Sequence, residues 1–322
     1  MKVRFGFVAM AMSLTNASPS QTMTVSRFES IVDGEAALRK LTRIATSNLT
    51  NTLRVLRHAN ASGVHIYRFS SKLIPLFGHP LTKDWDFLAQ LKDEFEAVGD
   101  FVHKHKMRVS FHPEHYTVLN SPSETVLLAS IDDLLRHVQM LEAMKLDEKA
   151  KLVIHVGGSY KNKAESLARL VSNWEQVPFS VRNRLTFEND DKTYTAADTL
   201  KLCQQLGVPM VLDVHHHRCQ HEESDNLAEL LPQIVQTWAN TDLVPKVHMS
   251  SPKGAKDFRS HADNIKLEDL LPFLNLMGEL NQDVDIMLEA KHKDEAVFQL
   301  MKELQKVPGV QVIDGGSIYY KS

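Results

Sequence analysis

The sequence predicts a single (β/α)8 TIM barrel, one domain spanning residues 1–322, and three observations carry that expectation. Short β-branched runs alternate strictly with segments of helical periodicity, the pattern of a parallel sheet with right-handed crossovers. Eight such units follow one another with no internal repeat, low-complexity stretch or domain boundary between them. Six of the runs end on a residue able to bind a metal: His112, His155, Glu188, Asp213, His248 and Glu289. In a barrel all strand C-termini surround one point, the face where active sites sit, so these six side chains would converge.

Val3 to Val8 reads as the first strand, followed by a long polar connection from Ser13 to Gly34. Loops of that length in compact domains are more often functional than incidental. Glu35 to Ala61 carries Leu38, Leu41, Ala45, Leu49, Leu53 and Leu56 at helical spacing, and Gly63 stops the helix as a C-cap would. Val64 to Phe69 is the second strand, with Trp85 to His105 as the next helix, and the third strand leads into His112-Pro113-Glu114-His115-Tyr116. Ser123 is the N-cap of a helix lasting to about Met144. The fourth strand carries His155 and breaks into Gly157-Gly158 before a helix from Asn162 to Trp174. The fifth ends at Glu188, with a helix over Ala196 to Leu206 capped by Gly207. The sixth runs into Asp213-Val214-His215-His216-His217, with Asn226 to Trp238 helical. The seventh carries Lys246 and His248 ahead of a loop from Ser250 to Asn264 and a helix from Leu267 to Leu276. The eighth ends at Glu289, and Asp294 to Gln305 is the last helix.

Composition narrows the function classes. Hydrophobic residues make up 43% of the chain, enough for a substantial core, and the net charge of −3 requires any nucleic-acid contact to rest on local cations. Only Cys203 and Cys219 are present, so no disulfide framework is implied and a reducing cytoplasm fits. The N-terminus is too interrupted for a signal segment, and no apolar run approaches the roughly 18 residues of a membrane span.

Imidazoles and carboxylates are the ligands of Zn²⁺, Mn²⁺ and Fe²⁺. With His216, the strand-end set exceeds what one ion needs, which suggests two or three ions with bridging carboxylates. Metals clustered about 4 Å apart suit phosphodiester hydrolysis. Any one of these histidines could be an ordinary hydrogen-bonded loop residue; their coincidence at six strand ends is what carries meaning. Lys246 lies two residues before His248 and so shares its face of the strand. A lysine there must be neutral, displaced outward to the rim, or modified, for example by carboxylation to a bridging anion. His115-Tyr116 pairs an imidazole with an aromatic ring beside the expected metals, a combination able to wedge into stacked bases or stack on extruded ones. Arg68, Ser70, Ser71, Lys72, Lys161, Lys163, Lys192, Lys253 and Arg259 lie just beyond strand ends, where they could contact phosphates.

The segments Phe5-Gly6-Phe7-Val8, Tyr67-Arg68-Phe69-Ser70-Ser71, Ser110-Phe111-His112-Pro113 and Leu185-Thr186-Phe187-Glu188-Asn189-Asp190-Asp191-Lys192 resemble those of a known family. So do Val247-His248-Met249-Ser250-Ser251-Pro252-Lys253, Arg259-Ser260-His261-Ala262-Asp263 and Met287-Leu288-Glu289-Ala290-Lys291. Across essentially the whole chain the resemblance is to the UV damage endonucleases, relatives of endonuclease IV among the xylose-isomerase-like barrels. It implies a metal-dependent DNA repair enzyme that cuts immediately 5′ to cyclobutane pyrimidine dimers and 6-4 photoproducts, some members also acting at abasic sites.

The resemblance further implies a cluster of up to three divalent ions, Mn²⁺ most of all, with Zn²⁺, Mg²⁺ or Co²⁺ as alternatives. Its ligands fall on His79, His112, His155, Glu188, Asp213, His216, His248, His261 and Glu289, with Lys246 as the carboxylated lysine. Glu188, Glu289, His155 and Lys246 are the expected catalytic set, the two glutamates as bridging ligands. The family's probing pair, usually Gln-Tyr, falls on His115-Tyr116. Phe7 replaces a tyrosine of some members and is expected to keep a stacking ring; Ala9-Met10-Ala11 lacks the asparagine that follows it there. Expected DNA contacts are Phe7, Arg68, Ser70, Ser71, His115, Tyr116, Lys253 and Arg259. The partner is damaged double-stranded DNA, met by a cytoplasmic monomer with no membrane and no obligate protein partner. Two rivals stand beside this reading: a metal-dependent sugar isomerase on the same barrel class, and a damage-binding protein whose metals are structural.

Overall fold

The computed structural model describes residues 1–321. Eight parallel strands close a barrel: β1 (Lys2–Val8), β2 (Ile66–Arg68), β3 (Arg108–Phe111), β4 (Lys151–His155), β5 (Leu185–Glu188), β6 (Met210–Asp213), β7 (Lys246–Met249) and, after the hairpin β8 (Pro252–Gly254) and β9 (Asp257–His261), β10 (Val284–Leu288). Closure is the parallel pairing of β1 with β10, Val3 opposite Val284 and Gly6 opposite Met287. The helices form the outer layer, as the alternation of the sequence requires. Among the described residues no helix is long and apolar enough to cross a membrane.

Alternation along each strand sorts the side chains into two environments. Phe5 and Phe7 of β1 point outward and join the main core between barrel and helices. Val8, Ile66 and Met287 pack together inside the barrel, as do Val153 and Val211. Below these apolar side chains, Asp285 is fully buried and takes Nε and Nη2 of Arg4 at 2.7 and 2.6 Å and Nη1 of Arg108 at 2.5 Å. Arg108 also lies over the Trp238 ring, 5.2 Å from its centroid. The lumen is therefore filled to its floor. Above it Lys246 and Ser110 form a buried polar pair, and a larger polar cluster gathers at the upper rim, where the strands end.

The helix over Gly34–Ala61 opens on Asp33, whose side chain accepts the Glu35 N–H, and is followed by Gly63 at φ 74°. Its buried stripe includes Leu41, Ala45, Leu49 and Leu56. The sequence reading departs from the structure at several places. Trp85 to His105 is two helices, Phe87–Gln90 and Lys92–Lys104, broken at Leu91. Ser250 to Asn264 is not an irregular loop: it forms the β8–β9 hairpin, Pro252 opposite His261. Two strands beyond the last helix went unread. β11 (Val310–Asp314) and β12 (Ser317–Tyr320) form an antiparallel hairpin, and β12 pairs with β1, Val3 opposite Ile318.

His137 gives the fold a pH dependence. It is 2% exposed on the helix Glu124–Ala143, edge-on to Phe77 and Phe111, with Nδ1 2.8 Å from the Asp133 carbonyl, which it can reach as a donor. Burial depresses its pKa, outweighing the opposing Asp133 and Glu114 carboxylates. Above about pH 6.5 the ring is neutral in both folded and unfolded chains and stability is unaffected. As pH falls below that value the unfolded chain takes up a proton that the folded chain refuses, so stability drops. His137→Phe keeps the packing and is expected to flatten the fall in denaturation midpoint between pH 7 and pH 5; an unchanged slope would assign the acid sensitivity elsewhere.

Candidate metal centre

Glu188 ends β5 with its carboxylate fully buried in the mouth of the barrel. His112, just past β3, has Nε2 2.8 Å from Glu188 Oε2; His248 in β7 has Nδ1 2.8 Å from Oε1. His155 at the end of β4 and His216 beyond β6 stand 3.8 Å from the same carboxylate. Burial alone would raise the pKa of Glu188, but His248, His155 and His112 together hold it well below the ordinary carboxylate range. The group is an anion ringed by imidazoles.

A second carboxylate extends the set. Glu289, just past β10, places Oε1 3.3 Å from His248 Nδ1 and Oε2 3.8 Å from Nδ1 of His261, the last residue of β9. Its other neighbour is Arg68, at the end of β2, whose guanidinium forms an ion pair with Oε1. Burial opposes its charge, but Arg68 and then His248 outweigh it, and the carboxyl stays ionised far below its usual range. Asp213 ends β6, and its Oδ1 accepts the His216 N–H at 2.7 Å. Asn189 braces Asp213 on both sides, donating to its carbonyl at 3.0 Å and accepting its N–H at 2.9 Å. Burial would lower the pKa of His216, but Asp213, Glu188 and Glu289 push it up to about 9.

The donors fit divalent cations. His112, His155 and Glu188 offer ligand atoms within 4.8 Å of one another, as do Glu188, Asp213 and His248. Asp213 Oδ2, His248 Nε2 and His155 Nδ1 are buried without a hydrogen-bond partner. Unpaired buried polar atoms are costly, and the Asp213 oxygen, a member of one of the two triads, is free to serve as a cation ligand. The two triads share one carboxylate, Glu188, which would therefore be common to both ligand sets.

The remaining expected residues divide. Lys246 is 2% exposed inside the barrel, which rules out displacement to the rim; its amine donates to Ser110 Oγ at 2.9 Å. Burial, aided by Arg108, lowers its pKa well below the ordinary lysine value, against the pull of Asp285. His79 stands apart from the hydrogen-bonded set: its Nδ1 accepts the Leu81 N–H at 3.2 Å, and it lines a depression with Phe77, Trp85 and Arg136. His115 and Tyr116 are exposed on the loop after β3, their rings 6.1 Å apart. Ser71 donates to Glu114 Oε1 at 2.8 Å, Lys253 lies 3.5 Å from Asp257, and Arg259 lies 3.8 Å from Asp191.

Two expectations are corrected. Phe7 cannot stack on DNA, because it is fully buried on the outward face of β1, edge-on to Tyr67 with ring centroids 5.6 Å apart. Ser70 is buried, and its hydroxyl is used within the protein, 2.7 Å from Ser20 Oγ and accepting the Lys72 N–H at 3.1 Å. Sequence reasoning also missed the Asn189 brace and the Arg68–Glu289 pair. Asn189 follows Glu188 directly, and only the adjacency of β5 and β6 brings it to Asp213. Arg68 and Glu289 are 221 residues apart, brought together because β2 and β10 both flank β1.

Fold and site define a (β/α)8-barrel protein with a buried imidazole–carboxylate centre on the face where such barrels hold their active sites. Residues 3–321 match the family described as UV-endonuclease UvdE, and the chain belongs to that family. It is 41% identical to the UV DNA damage endonuclease of Bacillus pumilus over 100% of both chains. It is 42% identical to that of Halalkalibacterium halodurans over 99% of both. The crystal structure of SacUVDE superposes with a TM-score of 0.82 at 30% identity, covering 95% of this chain and 100% of that one. L-ribulose 3-epimerase, at 13% identity and a TM-score of 0.52 over 97% of this chain and 89% of its own, shares the fold alone.

If Glu188 bridges two ions, Glu188→Gln removes the shared ligand. Metal content after dialysis against Mn²⁺, read by elemental analysis, is expected to fall by more than one ion per chain. Loss of a single ion or none would show that Glu188 does not bridge.

Proposed function

We propose that this chain is a DNA repair endonuclease that cuts damaged duplex DNA immediately 5′ to UV photolesions. Cyclobutane pyrimidine dimers and 6-4 photoproducts are the intended lesions, with abasic sites as further substrates. The observation that carries the reading is the buried Glu188 hub, two ligand triads on one carboxylate, in a chain of the UvdE family.

His112, His155, Glu188, Asp213, His216, His248, His261 and Glu289 would hold two or three divalent ions, Mn²⁺ above all; His79, which stands apart from them in this structure, would join only by a movement of its loop. When bound, such ions supply Lewis-acid polarisation of the phosphoryl group and a more acidic water at neutral pH. Glu188 and Glu289 hold two carboxylates in fixed positions across the mouth, ionised before any ligand arrives. Lys246, a buried amine whose pKa burial lowers well below the ordinary lysine value, would in its neutral form add to CO₂ with loss of a proton and so supply a further anion beneath the centre. Arg68, beside Glu289, is placed to take one oxygen of the scissile phosphate.

The lesion is read by disorder in the stack. Photolesions pair and stack poorly, so extruding them costs less than extruding an intact dinucleotide. His115 and Tyr116, exposed beside His112, would fill the gap in the helix. Ser71, Lys253 and Arg259 would contact the backbone; because their present partners are surface carboxylates, exchanging them for phosphates is inexpensive. The protein would act as a cytoplasmic monomer that needs no obligate protein partner.

A labelled duplex with one 6-4 photoproduct tests the proposal. In Mn²⁺ a single cut 5′ to the lesion is expected, leaving 3′-hydroxyl and 5′-phosphate ends, and EDTA should abolish it. Glu289→Gln should slow cutting by more than about 100-fold. His115→Ala with Tyr116→Ala should weaken binding to the damaged duplex far more than to the undamaged one. A folded, Mn²⁺-loaded protein that leaves the lesion duplex intact overturns the reading.

A further inference from the structure

The loop after β4 adopts a backbone that its residues disfavour. Tyr160 and Lys161 sit at φ 45° and 69°, consecutive left-handed positions occupied by side chains rather than by glycine. Residues other than glycine or asparagine disfavour this region, because the Cβ crowds the following carbonyl oxygen. The conformation is held from below. Asn120, fully buried, donates to the Gly158 carbonyl at 2.8 Å, and the buried Tyr194 hydroxyl donates to the same oxygen at 3.0 Å. Ser166 Oγ donates to the Ser159 carbonyl at 2.6 Å. Gly157, at φ 113°, lets the chain pass Asn120, where a Cβ would come within 2.3 Å of Oδ1.

What this scaffold presents is an exposed ring and an exposed cation. Tyr160 is 41% exposed, with the Arg169 guanidinium 5.8 Å from its ring centroid, and Lys161 is exposed beside it. The guanidinium is itself anchored, donating to the Asn120 carbonyl at 3.0 Å. Glycine or asparagine would satisfy the turn with less strain, so the fold does not require a tyrosine there. Strain maintained by a buried network around a solvent-facing side chain points to a contact made outside the chain. The placement says with what. β4 pairs with β3, whose loop carries His115 and Tyr116, and the rings of His112 and His155 at the feet of the two loops are 5.2 Å apart.

We propose that Tyr160 is a second stacking residue for DNA, packing on an unstacked nucleobase beside the lesion while Lys161 meets the adjacent phosphate. The inference rests on the endonuclease reading and adds to it a determinant of lesion specificity. Tyr116 and Tyr160 then address the distorted duplex from neighbouring loops, and the ring held by Arg169 arrives with its orientation already set. Ordering that the free protein has completed need not be supplied by binding energy.

The test is equilibrium binding in EDTA, where no cutting occurs, to duplexes carrying one 6-4 photoproduct or none, with 2-aminopurine beside the lesion reporting on stacking. Tyr160→Ala should weaken binding to the damaged duplex by roughly ten-fold and lose the fluorescence quench, while Tyr160→Phe retains both. Tyr160→Gly separates contact from architecture: it relieves the backbone, so the melting temperature should rise while binding to the lesion falls. Wild-type protein that binds the damaged duplex, beside a Tyr160→Ala variant that binds it equally well and quenches equally, overturns this inference alone. Wild-type protein with no preference for the damaged duplex overturns the endonuclease reading along with it.

Discussion

A carboxylate buried at the centre of the barrel mouth is the constraint to which the upper half of this structure answers. Taking an ionised glutamate out of water is expensive unless every direction of its field is met by a donor or a cation. Glu188 meets that demand with imidazoles from strands and loops on both sides: His112 and His248 at hydrogen-bond distance, His155 and His216 further out. These side chains come from β3, β4 and β7 and from the short helix Val214–Cys219 after β6, so with β5, which carries Glu188 itself, one charge ties together the ends of five consecutive strands. Removing it would leave the histidines without a focus, and removing any one histidine would leave the charge exposed to its neighbours.

The lower lumen solves a related problem in the opposite sense. There Asp285 is the single carboxylate against Arg4 and Arg108, with Lys246 on the neighbouring strand in register with it. The two arginines take both carboxylate oxygens, so the lysine is left with a hydroxyl, Ser110, and no counter-anion in contact. Burial lowers the pKa of an amine so placed well below the ordinary lysine value. Val8, Ile66 and Met287 pack together on the side of the lumen formed by β1, β2 and β10.

How much of this could be read from the chain depends on how local the signal was. The eight barrel strands were legible because each is a short apolar run, six of them leading into a potential metal ligand, and the barrel topology then dictates that those ends meet. His112, His155, Glu188, Asp213, His248 and Glu289 were found for that reason. Contacts at the mouth were not legible, because nothing near Arg68 in sequence points to Glu289. Phe7 was misjudged since a strand-end aromatic reads alike whether it faces the lumen, the helices or solvent. The β8–β9 hairpin is mostly polar, with Lys253, Lys256, Asp257 and Arg259, and lacks the alternation that marks a half-buried strand. The β11–β12 hairpin did carry a signal, the Gly315-Gly316 pair between two β-rich runs, which a reading that stopped at the last helix passed over.

The way β1 is sealed has a bearing on how the molecule comes into being. One flank of that strand is covered by β2, but its other contacts, β10 along its length and β12 at its foot, come from the far end of the chain. Backbone hydrogen bonds join Met1 to Tyr320 in both directions. During synthesis the first strand therefore emerges with an open edge that stays unsatisfied until β10 and β12 have been made. Contacts so remote along the chain form slowly, because the entropy of closing the loop comes due before they exist. The imidazole–carboxylate centre straddles that seam, since Glu289 follows β10 and Arg68 follows β2. Its last members come into place only as the ring closes, so an incomplete chain presents no finished site with which to engage metal or DNA.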